Sequence, residues 1–437
     1  MPQPRHPKPP RPTPPRPDAS RTKNSSAAAA TPRRQAPSSA RSRKASRDAA
    51  GTAAPAPTKP VEPPASWAVL AFARREFERT FVTESPTVNP LAGQITNGLL
   101  TGTVGAPRPG LPDPASTAQL NAAEAEDPWT GEPSLVSQSI VGVFRVTGVV
   151  GNLVGAQSNI SLLEAPNFLG PLLTSDRPPW FTTLGLDVQR SEFEGMPVWS
   201  LQSPGSTSDK TVVAIHGGGY VYRPSIFHWL DYAAMAHDTG ATVVVPIYPL
   251  APQGTAATVV PQTADLISYE IDQHGAENVS VYGDSSGGGL ALLAVQELVR
   301  RGDPVPSHMV LISPWLDVSM SDPASQTIDD PSLNYSELKG WALLWAGDLD
   351  PADPRVSPLY GSLEGLPPTV VYSGSLDLLS PDTLRLRERA LAEGADITFV
   401  LRKGQPHIWP TAFVFLVPES LAVRPDIYQQ LGIGSAA

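Results

Sequence analysis

Two short glycine-rich tracts carry the chemistry of this 437-residue chain. The first is Gly283-Asp284-Ser285-Ser286-Gly287-Gly288-Gly289, which follows an apolar run and precedes an Ala/Leu/Val-rich helical stretch. A serine on a tight turn between strand and helix projects its hydroxyl over the end of a sheet, at a helix N-terminus that favours negative charge. Side chains two residues before and after it would collide, so Gly283 and Gly287 leave room. The second tract is His216-Gly217-Gly218-Gly219-Tyr220, also after an apolar run. Bare glycines let main-chain N–H groups point into an open site, where they can hold the oxyanion of a tetrahedral intermediate. Gly217, Gly218 and Ser286 are the expected donors.

A serine hydroxyl needs a base, and the chain has seven histidines. His6 lies in a basic tail. His216 belongs to the glycine loop, where a bracing role suits it better than proton transfer. His228, His237 and His274 carry no partner signal, and His308 follows the serine too soon. His407 remains, just after the apolar run Ile397–Leu401. The base needs a carboxylate to orient it, and the chain order serine, acid, histidine selects Asp377, after the run Thr369–Tyr372. Asp382 is a rival, but it falls in a first helical turn, where an acid is ordinary dipole complementation. The constellation is Ser285, Asp377 and His407, and its reaction is acyl transfer to water.

The elements that must position these residues are legible in the apolar pattern. Candidate strands are Thr211–Ile215, Thr242–Ile247, Asn278–Tyr282, Met309–Ile312, Thr369–Tyr372 and Ile397–Leu401. They are near-continuously apolar, as strands covered on both faces are. Helical segments alternate with them: Gly287–Arg301, stopped by Gly302, and a helix opened by Ser380-Pro381-Asp382 and stopped by Gly394. This alternation predicts a mostly parallel, doubly wound α/β sheet over residues 181–437.

The flanks differ. Residues 1–60 hold 13 Lys/Arg against 2 Asp/Glu, plus 14 prolines, and the remainder holds 19 basic against 40 acidic residues. Residues 1–66 therefore read as a disordered tail, too poor in apolar side chains to offset ordering entropy. The acidic body, and the absence of aromatics among the tail's charges, argue against nucleic acid as the main ligand. Residues 67–180 read as an N-terminal cap or extension. Their longest apolar island, residues 139–154, carries Arg145 and spaced glycines, which argues against a membrane span and for a helix packed on a neighbour or touching lipid. No signal peptide is visible, although residues 74–88 resemble a segment that follows the export signal of some envelope proteins; the compartment stays open between cytoplasm and envelope. With no cysteine, disulfides, thiolate metal sites and a cysteine nucleophile are excluded. No metal or cofactor motif appears, and Asp348-Leu-Asp350-Pro-Ala-Asp353-Pro reads as a turn series.

In this order, His216-Gly217-Gly218-Gly219, Tyr248-Pro-Leu-Ala-Pro252, Gly283-Asp284-Ser285-Ser286-Gly287-Gly288, Ser313-Pro314-Trp315-Leu316-Asp317, Arg355-Val-Ser357-Pro358-Leu359, Asp377 and His407 resemble the hormone-sensitive lipase-type esterases of the α/β-hydrolase fold. The resemblance spans roughly residues 180–410. It implies carboxylester hydrolysis, short or medium acyl chains more often than long, a cap before the catalytic core, and pairing into dimers. The chain departs at Ser286, where the family usually has Ala, and at Gln253, where it usually has Glu. Residues 67–180 do not match the family's compact cap. An amidase or peptidase on the same residues, and a non-catalytic binding protein on the same fold, are the alternatives; the presence of His407 argues against the second.

Overall fold

The computed structural model describes residues 127–153, 174–411 and 417–434, with backbone alone for residues 147–153. The basic tail and most of the expected cap, residues 1–126 and 154–173, lie outside the described residues.

Eight strands form one sheet: β1 (Asp187–Phe193), β2 (Met196–Gln202), β3 (Thr211–Ile215), β4 (Thr242–Pro246), β5 (Val279–Asp284), β6 (His308–Ile312), β7 (Thr369–Gly374) and β8 (Ile397–Arg402). Their spatial order is β1-β2-β4-β3-β5-β6-β7-β8. β1 and β2 form an antiparallel hairpin and β2 pairs antiparallel with β4, whereas every neighbour from β4 to β8 is parallel. The six strands expected from sequence are the six parallel ones, with ends differing by one or two residues. The hairpin went unread because β1 is polar and exposed along most of its length, so it lacks the apolar run of a covered strand. Its turn, Glu194-Gly195, has positive φ at both residues (48° and 82°), as a tight two-residue hairpin requires.

The helices are α1 (Leu135–Leu153), α2 (Ile226–Thr239), α3 (Ala256–His274), α4 (Ser285–Arg301), α5 (Tyr335–Ala346), α6 (Ser380–Glu393) and α7 (Pro418–Gln430). The period-2 alternation of the central strands sorts their side chains to two faces. Val213, Ile215, Val279 and Val281 join an apolar cluster with α3, α4, α5 and α6. Val212, Ala214 and Tyr282 join another with Trp229, Tyr232 and Met235 of α2 and Ile427 and Tyr428 of α7. The sheet is therefore doubly wound. Gly302 and Gly394 end α4 and α6 in left-handed conformations (φ 75° and 68°), which glycine adopts at little cost.

From β3 the chain moves one way across the sheet, to β4. β5 then lies on the other side of β3, and the strands proceed outward from it. The loops after β3 and β5 part at this switch, and such a crevice at the carboxyl ends of parallel strands is where an open α/β sheet binds ligands. One glycine lets the walls touch and a second lets the turn after β5 close on itself. A Cβ on Gly287 would meet the Ile215 carbonyl oxygen at 2.2 Å, and one on Gly283 would meet the Gly287 carbonyl oxygen at 2.5 Å. Both contacts are with backbone, which cannot step aside cheaply. Gly287→Ala is expected to lower stability in urea by about 1–3 kcal/mol. Gly142→Ala, in the helix α1 with nothing within 4 Å of the new Cβ, is expected to add about 0.5–1 kcal/mol. Equal effects from the two substitutions would contradict this packing.

Candidate active site

Ser285 is the first residue of α4, and its φ is +52°. That left-handed backbone costs energy at a non-glycine residue and persists only when the surroundings impose it. Here they do. The Ser285 carbonyl accepts the N–H of Trp315 at 2.9 Å, and Ser286 beside it is fully buried. Ser285 is 8% exposed, and its Oγ makes no hydrogen bond among the described residues.

The two other expected members arrive on neighbouring loops. Asp377 follows β7 and His407 follows β8. His407 Nδ1 lies 3.0 Å from Asp377 Oδ2, with both side chains buried. The pair is within reach but not aligned as a hydrogen bond, a looseness common before substrate binds. Asp377 Oδ1 accepts the N–H of Leu379 at 2.9 Å, which leaves Oδ2 for the histidine. His407 Nε2 is buried and has no hydrogen-bond partner among the described residues. Burial works against the charged imidazole, but the charge and proximity of Asp377, then the charges of Asp330 and Asp284, outweigh it and raise the His407 pKa above the ordinary value.

Several contacts that the sequence did not signal hold these loops together. The Leu376 N–H donates to the Gln405 carbonyl at 3.0 Å, joining the acid's turn to the base's loop. The Ile408 N–H donates to Ser313 Oγ at 3.0 Å. The Ser137 hydroxyl of α1 bonds Gln405 Oε1 at 3.0 Å, and Gln405 Nε2 reaches Glu419 of α7 at 3.2 Å. Thus α1 is tied to the loop two residues before His407. Asp382, the rival acid, turns instead to Arg385 at 2.7 Å. Burial, then the neighbouring Asp317, push its pKa up to about 7.

The glycine loop departs from expectation at one donor. The Gly217 N–H donates to Asp284 Oδ1 at 3.1 Å, so it is committed to that carboxylate and is not available to an oxyanion. The N–H groups of Gly218 and Gly219 have no acceptor among the described residues. Gly218 and Gly219 have φ of 120° and 62°, conformations that turn the loop and that larger side chains resist. Ser286 also does more than its position suggested: its Oγ accepts the Tyr220 N–H at 3.2 Å and ties down the far end of the loop. An alanine there could not. His216 braces the loop. Its ring stacks on Tyr248 at 4.4 Å, and its Nδ1–H donates to the Gly217 carbonyl at 2.7 Å. Burial, then the nearby His228, pull its pKa down to about 3, so it is neutral and takes no part as a cation.

His228, set aside on sequence for want of a partner, has one. Its Nε2 lies 3.0 Å from Asp284 Oδ2. Its Nδ1 accepts the Ser225 N–H at 2.8 Å, inside the capping box that opens α2. The proximity of Asp284 favours a charged ring, but protonating Nδ1 would break the Ser225 bond, so we assign the neutral tautomer with Nε2–H directed at Asp284. The Asp284 carboxylate thus binds a loop N–H with one oxygen and an imidazole with the other. Burial alone would raise its pKa; the adjacent His228 ring and its hydrogen bond, then His216 and the Gly217 N–H, hold it below the ordinary aspartate value. The signal in sequence was only that an aspartate stood before the serine.

Among the described residues no group of three or more His, Asp or Glu could hold a metal, and the Asp348–Asp353 stretch is a series of turns. No described helix is long and apolar enough to cross a membrane. A cavity of about 520 Å³ lined by Trp129, Ile328, Leu384 and Arg385 does not include Ser285 or His407; it is set apart from the site by its lining.

Comparison with known proteins agrees with this architecture. A family model described as the alpha/beta hydrolase fold matches residues 212–411. A Mycobacterium tuberculosis (strain ATCC 25618 / H37Rv) protein named triacylglycerol lipase is 48% identical over 323 residues, which cover 70% of this chain and 68% of that one. An esterase of Acinetobacter venetianus is 28% identical over 269 residues, covering 60% and 88%. A crystal structure of an esterase from the bacterial hormone-sensitive lipase family superposes with a TM-score of 0.56 at 26% identity, covering 69% of this chain and all of that one. The chain belongs to the α/β-hydrolase fold family, in the hormone-sensitive lipase-type branch of esterases. It is accordingly a hydrolase of the carboxylesterase or lipase type.

Removing the His228 ring should uncouple Asp284. His228→Ala is expected to cost about 1.5–3 kcal/mol at pH 7, the range for a hydrogen bond to a charged group. The depressed Asp284 pKa adds stability that is fully present above the unfolded value near ~4 and is lost as pH falls through the folded pKa. In His228→Ala that loss should begin at higher pH. An acid-unfolding midpoint identical to wild type would contradict the coupling.

Proposed function

We propose that the chain hydrolyses carboxylic esters through Ser285, His407 and Asp377, with an acyl-enzyme on Ser285. The single observation that carries this reading is the buried 3.0 Å pair of Asp377 and His407 on the loops after β7 and β8, on the same sheet whose β5 ends in a serine held at φ +52° on a helix N-terminus. In the proposed reaction Ser285 Oγ attacks the ester carbonyl while His407 Nε2 takes its proton. The Asp377 carboxylate stabilises the imidazolium at Nδ1 and fixes its tautomer. The N–H groups of Gly218, Gly219 and Ser286 receive the oxyanion, aided by the positive end of α4. His407 then returns the proton to the leaving alcohol, and water repeats the sequence to release the acid.

We further propose short or medium acyl chains. The Trp341 ring lies so close to Gly219 that a Cβ there would meet it at 2.4 Å, and it meets Tyr222 edge-on at 5.3 Å. This aromatic wall beside the glycine loop favours small groups.

Wild type is expected to hydrolyse p-nitrophenyl acetate and butyrate faster than the palmitate, and Ser285→Ala to lose ~10³-fold or more in kcat. Equal rates for wild type and Ser285→Ala would remove the nucleophile assignment. Because His407 must be neutral to accept a proton and its pKa is raised, the acid limb of kcat/KM should fall above the ordinary histidine value near ~6.5. An acid limb below that value would contradict the electrostatic account.

A further inference from the structure

The loop between β6 and α5 brings a second carboxylate to the turn that carries Asp377. Asp330 Oδ2 accepts the N–H of Leu378 at 2.9 Å, one residue beyond Asp377. The Asp377 carboxylate accepts the next N–H, that of Leu379, at 2.9 Å. Two acids therefore grip successive N–H groups of one turn. Asp330 is itself held firmly on its own loop: Oδ1 accepts the Ser332 N–H at 2.7 Å, the Ser332 hydroxyl at 2.8 Å and the Leu333 N–H at 3.0 Å. These bonds fix the carboxylate before any substrate arrives.

Two carboxylates this close repel, and the repulsion is relieved when a cation faces both. His407 is the group that becomes cationic here. Burial, then the charge of Asp377, push the Asp330 pKa up to about 6, while His407 and the N–H groups of Leu378 and Ser332 pull it down. The charged groups that face His407 are Asp377 from the turn after β7, Asp330 from the loop after β6, and Asp284 from the end of β5. Asp284 is engaged by His228 and Gly217, and Asp377 makes the direct contact. Asp330 is bound only by hydroxyl and backbone donors.

We propose that Asp330 is a positioning residue of the hydrolytic site: it fixes the turn that presents Asp377 and supplies a second negative charge to stabilise the His407 imidazolium. The proposal rests on the reading of Ser285, His407 and Asp377 given above. It gives the loop after β6 a part in the reaction. That loop also reaches α1 on its outer side, where Arg145 pairs with Asp329 at 2.9 Å. The Arg145–Asp329 pair is exposed, so it contributes little, and Asp329 serves as the control.

The test is the pH dependence of p-nitrophenyl butyrate hydrolysis by wild type, Asp330→Asn and Asp329→Asn. Asp330→Asn should move the acid limb of kcat/KM about one unit toward acid, the shift expected when an opposite charge is withdrawn from a titrating group. It should lower kcat with KM little changed, because the imidazolium forms only as the reaction proceeds. Asp329→Asn should leave the limb in place. An unmoved limb in Asp330→Asn, or an equal shift in Asp329→Asn, overturns the proposal. If Asp330→Asn does not fold, wild type decides. In ¹³C-histidine-labelled protein the His407 resonance, assigned by its loss in His407→Asn, should show a second inflection near pH 6 from Asp330; a single-step titration overturns the proposal. A wild type inert to every ester, yet with both inflections, overturns the hydrolytic reading and Asp330's part in it while leaving the charge coupling intact. An active wild type with one inflection overturns Asp330 alone.

Discussion

The site depends on how closely the loop after β3 approaches the turn after β5. A Cβ on Gly217 would strike the Asp284 carboxylate at 2.4 Å and Ser285 Cβ at 3.0 Å, and Gly287 lies against the backbone of Ile215 and His216. The two loops come from adjacent parallel strands, and without glycine at these positions they would be held apart. The approach puts candidate oxyanion donors beside the serine. It also puts the Asp284 carboxylate where it can bind one loop N–H and so hold the loop's shape. The strained backbone of Ser285 is kept in place by this crowding.

Around that contact, charge is arranged in two sets. On one side Asp284 is bound by the neutral His228 and by Gly217. On the other, Asp377 and Asp330 hold successive N–H groups of the turn facing His407. The first set has its hydrogen bonds complete and serves as scaffold. The second leaves His407 Nε2 buried and without a hydrogen-bond partner among the described residues.

The parallel core, and the placing of Ser285, Asp377 and His407 just after β5, β7 and β8, were legible in sequence because they rest on local rules. Strands covered on both faces read as apolar runs, and a serine on a tight turn requires flanking glycines. The hairpin β1–β2 was not legible, since an exposed edge strand such as Asp187–Phe193 has no apolar signature. The bond that engages the Gly217 N–H was not legible because it depends on where a side chain 67 residues away points its carboxylate. His228 and Asp330 were missed for the same reason: each meets its partner through tertiary structure, His228 across 56 positions and Asp330 across 48. Pattern in sequence reports what an element is; it does not report which carboxylate faces which N–H across the sheet edge.

The account turns on whether Ser285 forms a covalent bond with the acyl-like electrophile. The direct measurement is mass spectrometry of the full chain after treatment with diethyl p-nitrophenyl phosphate, with the modified peptide sequenced. The account predicts one diethylphosphoryl group per chain, located on Ser285, and much slower labelling in His407→Asn. Labelling at another residue, or none in a wild type that still hydrolyses esters, would contradict it.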